Sequence, residues 1–344
     1  MTPLPAGVDP EALAEALRHH GRTAFAFDVL QAPERYGFFQ SRTVPGAIVP
    51  YRSVGRGDVV IGEPLAPADA LERVTREFLE DRADRGRRVL GFVASEDFAR
   101  AAIACGASAA QLTSEPEIDP VTWEPAGGSA KKMRQYVKRL RKEGYEGRAL
   151  PARSAVIRDE FRRGAEALIR TWIREGVGRS AHILEVDAWR LPAEKRYFAV
   201  YDPKDEERLL ALLIAHPVYA LDGWHLCHLV RDPKAPKGVA ELVVSRAIET
   251  LGDEGCRYAT FGPFPEPQMG EFLGVGRTME RIVRRAYDLA GRRGGYARSV
   301  EFYRKVQAGT WRRRYMVFFP RKVVLRNFLT LVRMTHVLGF LDRG

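Results

Sequence analysis

Cysteine is scarce in this chain: Cys105, Cys227 and Cys256 are three in 344 residues, widely spaced and odd in number. They cannot form a disulfide framework, and no C-x-x-C pair offers half a zinc site, so a reducing cytoplasm is the natural setting. Long apolar runs are lacking as well. None reaches the roughly 18 residues that a spanning helix needs, and the opening MTPLPAGVDPEA has no basic-then-apolar layout of a signal peptide. There is no G-x-S-x-G elbow and no Cys/His pair in a recognisable nucleophile context. His225, Cys227 and His228 lie close together, but strand alternation sends 225 and 227 to one face and 228 to the other. They read as structural residues, and no metal site is expected.

What is present is a globular composition, 45% hydrophobic and 29% charged, which argues against wholesale disorder. The length suits two domains of about 150 residues each. Positive charge is concentrated. The net charge is +11, yet Val275–Gly344 alone holds seventeen Lys/Arg against four Asp/Glu, and Lys131–Arg148 holds eight against two. The remainder therefore carries eight more acidic than basic residues. An acidic body with two basic patches suits a polyanionic partner, nucleic acid or an anionic membrane face; two solvated surfaces are the plain alternative.

Along the chain, Asp9-Pro10 caps a helix that Gly21 stops. Short β-like runs follow at Ala24–Leu30, Ala47–Tyr51 and Asp58–Gly62, then an amphipathic helix over Pro67–Asp84 with Leu71, Val74, Phe78 and Leu79 on one face. Arg88–Ala94 reads as a strand, Ser95 opens a helix ending at Gly106, and Ala110–Thr113 reads as a strand before an acidic, proline-marked stretch, Glu115–Pro125. Ser129 is a plausible N-cap for a basic helix with Met133, Tyr136, Val137 and Leu140 as its apolar stripe and Gly144 as its stop. The second half shows a helix over Arg158–Glu175, strands at Tyr197–Tyr201, Leu209–Ala215 and Trp224–Val230, a helix over Gly238–Leu251 and a strand at Arg257–Phe261. Three strands, a helix and a strand resemble the core of GNAT-type acyltransferases, and the layout occurs twice. The expected fold is therefore α/β (α+β): a first GNAT-like domain over 1–149 ending in the basic helix, a second over 150–320, mixed and largely antiparallel sheets, and an amphipathic C-terminal helix over 321–344.

Five segments, in order, resemble the catalytic domain of the phosphatidylglycerol lysyltransferases, the multiple peptide resistance factor group. They are Val59–Pro64 (VVIGEP); the helix pattern Lys131, Arg134, Arg139 and Gly144; Leu229–Asp232 with Ala235–Gly238; Phe261–Phe264 (FGPF); and Phe302–Lys305 with Trp311–Tyr315 (WRRRY). The resemblance implies an aminoacyltransferase. An amino acid moves from aminoacyl-tRNA to a lipid, phosphatidylglycerol-like, or to another hydroxyl or amine acceptor. The donor ester is already activated, so no cofactor, metal or covalent intermediate is required; the site must orient, stabilise an oxyanion and assist a proton. Two rivals stay open. One is a coenzyme A-dependent N-acyltransferase on the same fold, and the other is a non-catalytic lipid- or nucleic-acid-binding module.

The same resemblance assigns roles. Tyr303 would relay a proton, Lys305 would stabilise the oxyanion or a terminal phosphate, and Arg231 belongs to the catalytic set. Trp172 and Glu175 would lie in the amino-acid pocket and Glu115 would bind its ammonium; the alternatives are a core tryptophan and a solvated loop carboxylate. Gly238 with Lys237 forms the turn that would hold a phosphate at a helix N-terminus, or an ordinary capped turn. Lys131, Lys132, Arg134, Lys138 and Arg139 would contact tRNA phosphates, joined by Trp311, Arg312 and Arg314 at a single-stranded 3′ end. Solvated surface is the alternative for the helix, and core packing for Trp311. The tail over 321–344 either lies in a membrane interface or docks on the protein, which places the chain in the cytoplasm, peripheral on the inner membrane face.

Overall fold

The computed structural model describes residues 8–150, 159–174, 187–266, 269–278, 280–285, 305–306 and 309–321. The chain begins with α1 (Pro10–His20), whose N-cap Asp9 accepts the Glu11 N–H and whose apolar stripe buries Leu13 and Leu17. The β-like run Ala24–Leu30 is not a strand. It forms tight turns and then the short α2 (Asp28–Gln31), because its Phe27 and Val29 are drawn into packing rather than into a ladder. An antiparallel meander follows: β1 (Gly37–Gln40), β2 (Ile48–Val54) and β3 (Gly57–Ile61). Helix α3 (Leu71–Asp84) crosses over to β4 (Arg88–Ala94), parallel to β3. Ser95 then caps α4 (Glu96–Ala104) by accepting the Phe98 N–H at 3.1 Å, a bond worth about 1 kcal/mol.

The next strand, β5, runs Ser108–Ile118, past the strand expected over Ala110–Thr113 and into the start of the acidic, proline-marked stretch. Pro116 is registered only with Trp311 and has no strand on its other edge, a position where a residue without an N–H is tolerated. The basic helix α5 (Lys131–Lys142) follows. Its N-cap is Ala130 without a side-chain bond, not Ser129; Gly144, at φ 87°, takes the chain out of it.

The second half repeats the plan of the first. After β6 (Gly147–Ala149) and α6 (Asp159–Arg174) come an antiparallel meander, β7 (Arg196–Asp202), β8 (Asp205–Val218) and β9 (Gly223–Arg231), then α7 (Val239–Asp253) and β10 (Ala259–Thr260), parallel to β9. Short segments β11 (Phe264–Pro265) and β12 (Phe272–Leu273) lie against β5. Twice, three antiparallel strands, a crossover helix and a parallel strand: the fold is tandem GNAT-like.

Both halves share one sheet, ordered β1-β2-β3-β4-β13-β5-β10-β9-β8-β7-β6. The strand β13 (Thr310–Phe319), expected in the second unit, is inserted between β4 and β5 of the first. Its Tyr315–Phe318 run is buried on both faces, the continuous apolar pattern of an interior strand. The first core packs α3 and α4 on the sheet; in the second half α5 and α7 cover one face, α6 the other.

Candidate active site

Where β3 ends, the chain needs a glycine. Gly62 has φ 84°, its N–H reaches the Phe92 carbonyl at 2.9 Å, and a Cβ there would stand 2.5 Å from Thr23 Oγ1. Glu63 follows, nearly buried. Its carboxylate is gripped by Arg22 Nε at 3.2 Å and by the Ser95 hydroxyl at 2.5 Å. Ser95 thus caps α4 and donates to Glu63 at once.

From the second half, His225 on β9 reaches the first, its Nδ1 2.8 Å from the Ala24 carbonyl. Burial pulls its pKa down. Gly262, at φ 78°, closes against the ring: a Cβ there would lie 2.7 Å from His225 Nε2. This is the glycine of the FGPF segment.

Between these groups, on adjacent strands β5 and β13, lie Glu115 and Arg314, 1% and 4% exposed. Arg314 Nε donates to Glu115 Oε2 at 2.6 Å. Burial works against the Arg314 charge, but the Glu115 carboxylate outweighs it and the net shift is upward. The charge of Glu63 also acts on Arg314, and that of Glu115 on His225. One carboxylate oxygen, Glu115 Oε1, is buried with no hydrogen-bond partner among the described residues. Three segments far apart in sequence, the glycine–acid–proline strand end, the FGPF turn and the WRRRY strand, therefore meet at the seam of the two halves.

Several expectations change here. Glu115 is no solvated loop residue but a buried strand carboxylate. Arg314 is engaged with it, so it is not a surface phosphate contact. Trp172 is core, packed on α6 with Phe161, Ala165 and Leu168 against β7 and β8. Trp311 and Arg312 do stand exposed at the start of β13, with Arg312 paired to Glu117 at 2.5 Å.

The basic helix and the turn before α7 form a second group. Met133, Val137 and Leu140 pin α5 to the core, leaving Lys131, Lys132, Arg134, Lys138 and Arg139 exposed. Arg134 donates to the carbonyls of Pro125 and Gly127 at 2.8 and 3.1 Å, and Arg139 to that of Lys237 at 2.6 Å. Gly238, at φ 101°, is the point of closest approach: a Cβ would stand 2.5 Å from Tyr136. An open groove of about 320 Å³ runs between α5 and α7, past Arg134, Lys138, Arg141, Ser245 and Glu249.

Part of the turn before Gly238 is closed by its own hydrogen bonds. Pro233 and Pro236 have no N–H, Lys234 donates to Asp232 Oδ1 at 2.8 Å, and Ala235 and Val239 donate to the carbonyls of Asp232 and Pro236. Arg231 is partly buried at the end of β9, and Lys305 is partly buried beside Val306, whose carbonyl accepts Trp123 Nε1 at 2.7 Å. Tyr303, Glu175 and the tail 322–344 lie outside the described residues.

Sequence reasoning had not assigned Arg22, Ser95 or His225 to a site. The only signal for Glu63 was its motif; Arg22 and Ser95 are bonded to it through space, and His225 is placed by Ala24 and Gly262.

The family described as phosphatidylglycerol lysyltransferase, C-terminal, matches residues 14–318. The chain belongs to that family. No curated protein matches it. Among solved structures it is similar to L-PGS from Bacillus licheniformis, with a TM-score of 0.69 at 18% identity, covering 95% of this chain and 96% of that one. A second likeness is to the C-terminal domain (DUF2156) of an Agrobacterium fabrum protein assigned as a lysylphosphatidylglycerol synthetase, with a TM-score of 0.72 at 15% identity over 94% and 95%. A conserved Bacteroides thetaiotaomicron protein of unknown function aligns with a TM-score of 0.57 at 12% identity, over 92% and 99%. The lysyltransferase family is one of transferases, and its chemistry is aminoacyl transfer to lipid. No helix among the described residues is long and apolar enough to cross a membrane.

Proposed function

We propose that this chain transfers an amino acid from aminoacyl-tRNA to a phosphatidylglycerol-like lipid at the cytoplasmic membrane face. The observation that carries the reading is Glu115: a buried carboxylate with one oxygen bound by Arg314 and the other without a partner among the described residues. An aminoacyl donor carries an ammonium, and an unpaired carboxylate oxygen in a low-dielectric seam is its natural counter-charge. The reaction is a direct displacement. The lipid hydroxyl oxygen bonds to the ester carbonyl carbon, the bond to the tRNA ribose oxygen breaks, and the hydroxyl proton ends on that oxygen. Lys305 and Arg231 stabilise the oxyanion, and Tyr303 relays the proton.

The exposed cations of α5 supply the tRNA surface, through phosphates and without base choice. The α7 turn favours this donor over coenzyme A. A pyrophosphate cradle needs open space over a helix N-terminus, and here Tyr136 abuts the cap glycine, within 2.5 Å of where a Cβ would stand, while Arg139 is bonded to the Lys237 carbonyl.

The test incubates the purified protein with a charged tRNA pool, labelled amino acids and phosphatidylglycerol vesicles. Label in the lipid fraction, unaffected by added coenzyme A, is the expected result. Reversing Lys131, Lys132 and Lys138 to Glu should weaken tRNA binding and flatten its salt dependence, each phosphate contact accounting for a slope of about 0.7–0.9. No lipid label from any charged tRNA would refute the reading, and acyl transfer from coenzyme A thioesters would replace it.

A further inference from the structure

The alternation rule that separates His228 from Cys227 fails at one place in β9. Pairing with β8 runs Ile214↔His228 and then Ala215↔Leu226, so Cys227 has no opposite number and sits in a β-bulge. A bulge re-aims side chains, and this one brings Cys227 and His228 together with His216 of β8. The Cys227 sulfur is 3.3 Å from His228 Nε2, the His216 and His228 rings are 5.3 Å apart, and one donor atom from each of the three lies within 4.8 Å of the others.

Two further observations point to a ligand. His216 is 1% exposed, yet neither of its ring nitrogens has a hydrogen-bond partner among the described residues. Asp28 of α2 is 3.6 Å from its Nδ1, too far for a hydrogen bond, and Asp28 Oδ2 is also buried without a partner among the described residues. Buried polar atoms are ordinarily satisfied; here a thiol, two imidazoles and a carboxylate converge and leave several atoms unsatisfied.

We infer that His216, Cys227 and His228 bind a divalent transition ion of the zinc class, with Asp28 as the carboxylate that orients His216. A tetrahedral zinc with N and S ligands holds its donor atoms about 3.3–3.6 Å apart, and the Cys227–His228 separation already has that value. Imidazole with thiolate selects a borderline-soft ion over magnesium or calcium, and a carboxylate behind a metal-bound histidine is the usual outer partner. Binding forms one metal–sulfur and two metal–nitrogen bonds and releases the Cys227 thiol proton to solvent. Lys195, whose ammonium donates to the Asp187 carbonyl at 2.5 Å, adds positive charge to this face; the thiolate and Asp28 offset it. The site ties α2 of the first half to the second-half sheet.

The full chain, stripped with chelator and titrated anaerobically with cobalt(II), tests this. One equivalent should bind with a thiolate-to-cobalt charge-transfer band, lost in Cys227→Ser and kept in the Cys105→Ser/Cys256→Ser variant. Absence of the band, or its persistence in Cys227→Ser, overturns the inference. Should Cys227→Ser fail to fold, X-ray absorption of the zinc-loaded wild type decides: one sulfur in the first shell supports the site, and a shell without sulfur refutes it.

Discussion

The two halves use the same crossover, a third strand leading through a helix to a parallel fourth, and finish it differently. In the first, β3 and β4 pair over five residues, Gly57↔Arg88 through Ile61↔Phe92, and the Gly62 N–H adds a further bond. In the second, β10 pairs with β9 only at Trp224 and His225. Beyond His225, the stretch 226–231 has β8 as its one strand neighbour among the described residues. The cause is local: Gly262 turns left-handed and Pro263 lacks an N–H, so pairing stops. One half is zipped shut and the other splays open, at the strand end that carries Arg231 and the Gly238 turn. The first half is thus a closed frame, and the second leaves β9 unpaired on that side beyond His225 among the described residues.

The largest test of that contrast lies at the seam. Arg314→Leu leaves Glu115 as a buried, unpaired charge and should cost about 3–5 kcal/mol in urea unfolding, whereas Arg100→Leu, which removes an exposed pair with Glu96, should leave the urea midpoint essentially unmoved. Equal losses would mean that the seam is no tighter than the surface. Next, Glu115→Gln keeps volume and removes charge. Lipid transfer should fall by about a hundredfold, which is about 2.7 kcal/mol of transition-state stabilisation, with the circular dichroism unchanged; unaltered kcat/KM would remove Glu115 from the site.

A smaller effect separates two left-handed glycines. Gly262→Ala adds a methyl against His225 to the backbone strain and should cost about 2 kcal/mol, while Gly86→Ala, at φ 64° with nothing near it, should cost about 1 kcal/mol. The smallest is a slope. Each half pairs a buried arginine with acids, Arg82 with Asp58 and Asp81 and Arg196 with Glu254, but the second also leaves Lys195 with a carbonyl, and burial brings its pKa to about 8. Because the folded amine loses its proton before the unfolded one, stability should rise between pH 8 and about pH 10.5, by about 1 kcal/mol per pH unit. Lys195→Met should flatten that rise, as read by chemical denaturation across the range.

Much of this architecture is legible in local pattern. Helices α1, α3, α4, α5 and α7 and the meander of β7, β8 and β9 follow from caps, stops and periodicity, all of which act within a few residues. What escapes the sequence is pairing at long range. Glu115 and Arg314 lie 199 positions apart, and nothing near Glu115 says that a later strand will bury it. Pro116 makes β5 look like a loop because its neighbours are unknown. A bulge is a property of two strands together, so the alternation argument at Cys227 and His228 had no means of detecting it. Ser129 was a reasonable cap one residue too early.

The position of β13 has a consequence for synthesis. Between β4 and β5 the frame has a slot that only residues 310–319 fill. Until the ribosome delivers them, Ala109 and Ala110 on one strand and Leu90 and Gly91 on the other face a missing middle, with backbone donors and acceptors open to any passing edge. Strand β5 ends at Ile118 and β13 begins at Thr310, so the first half stays open to aggregation or chaperone capture while the residues between them are made.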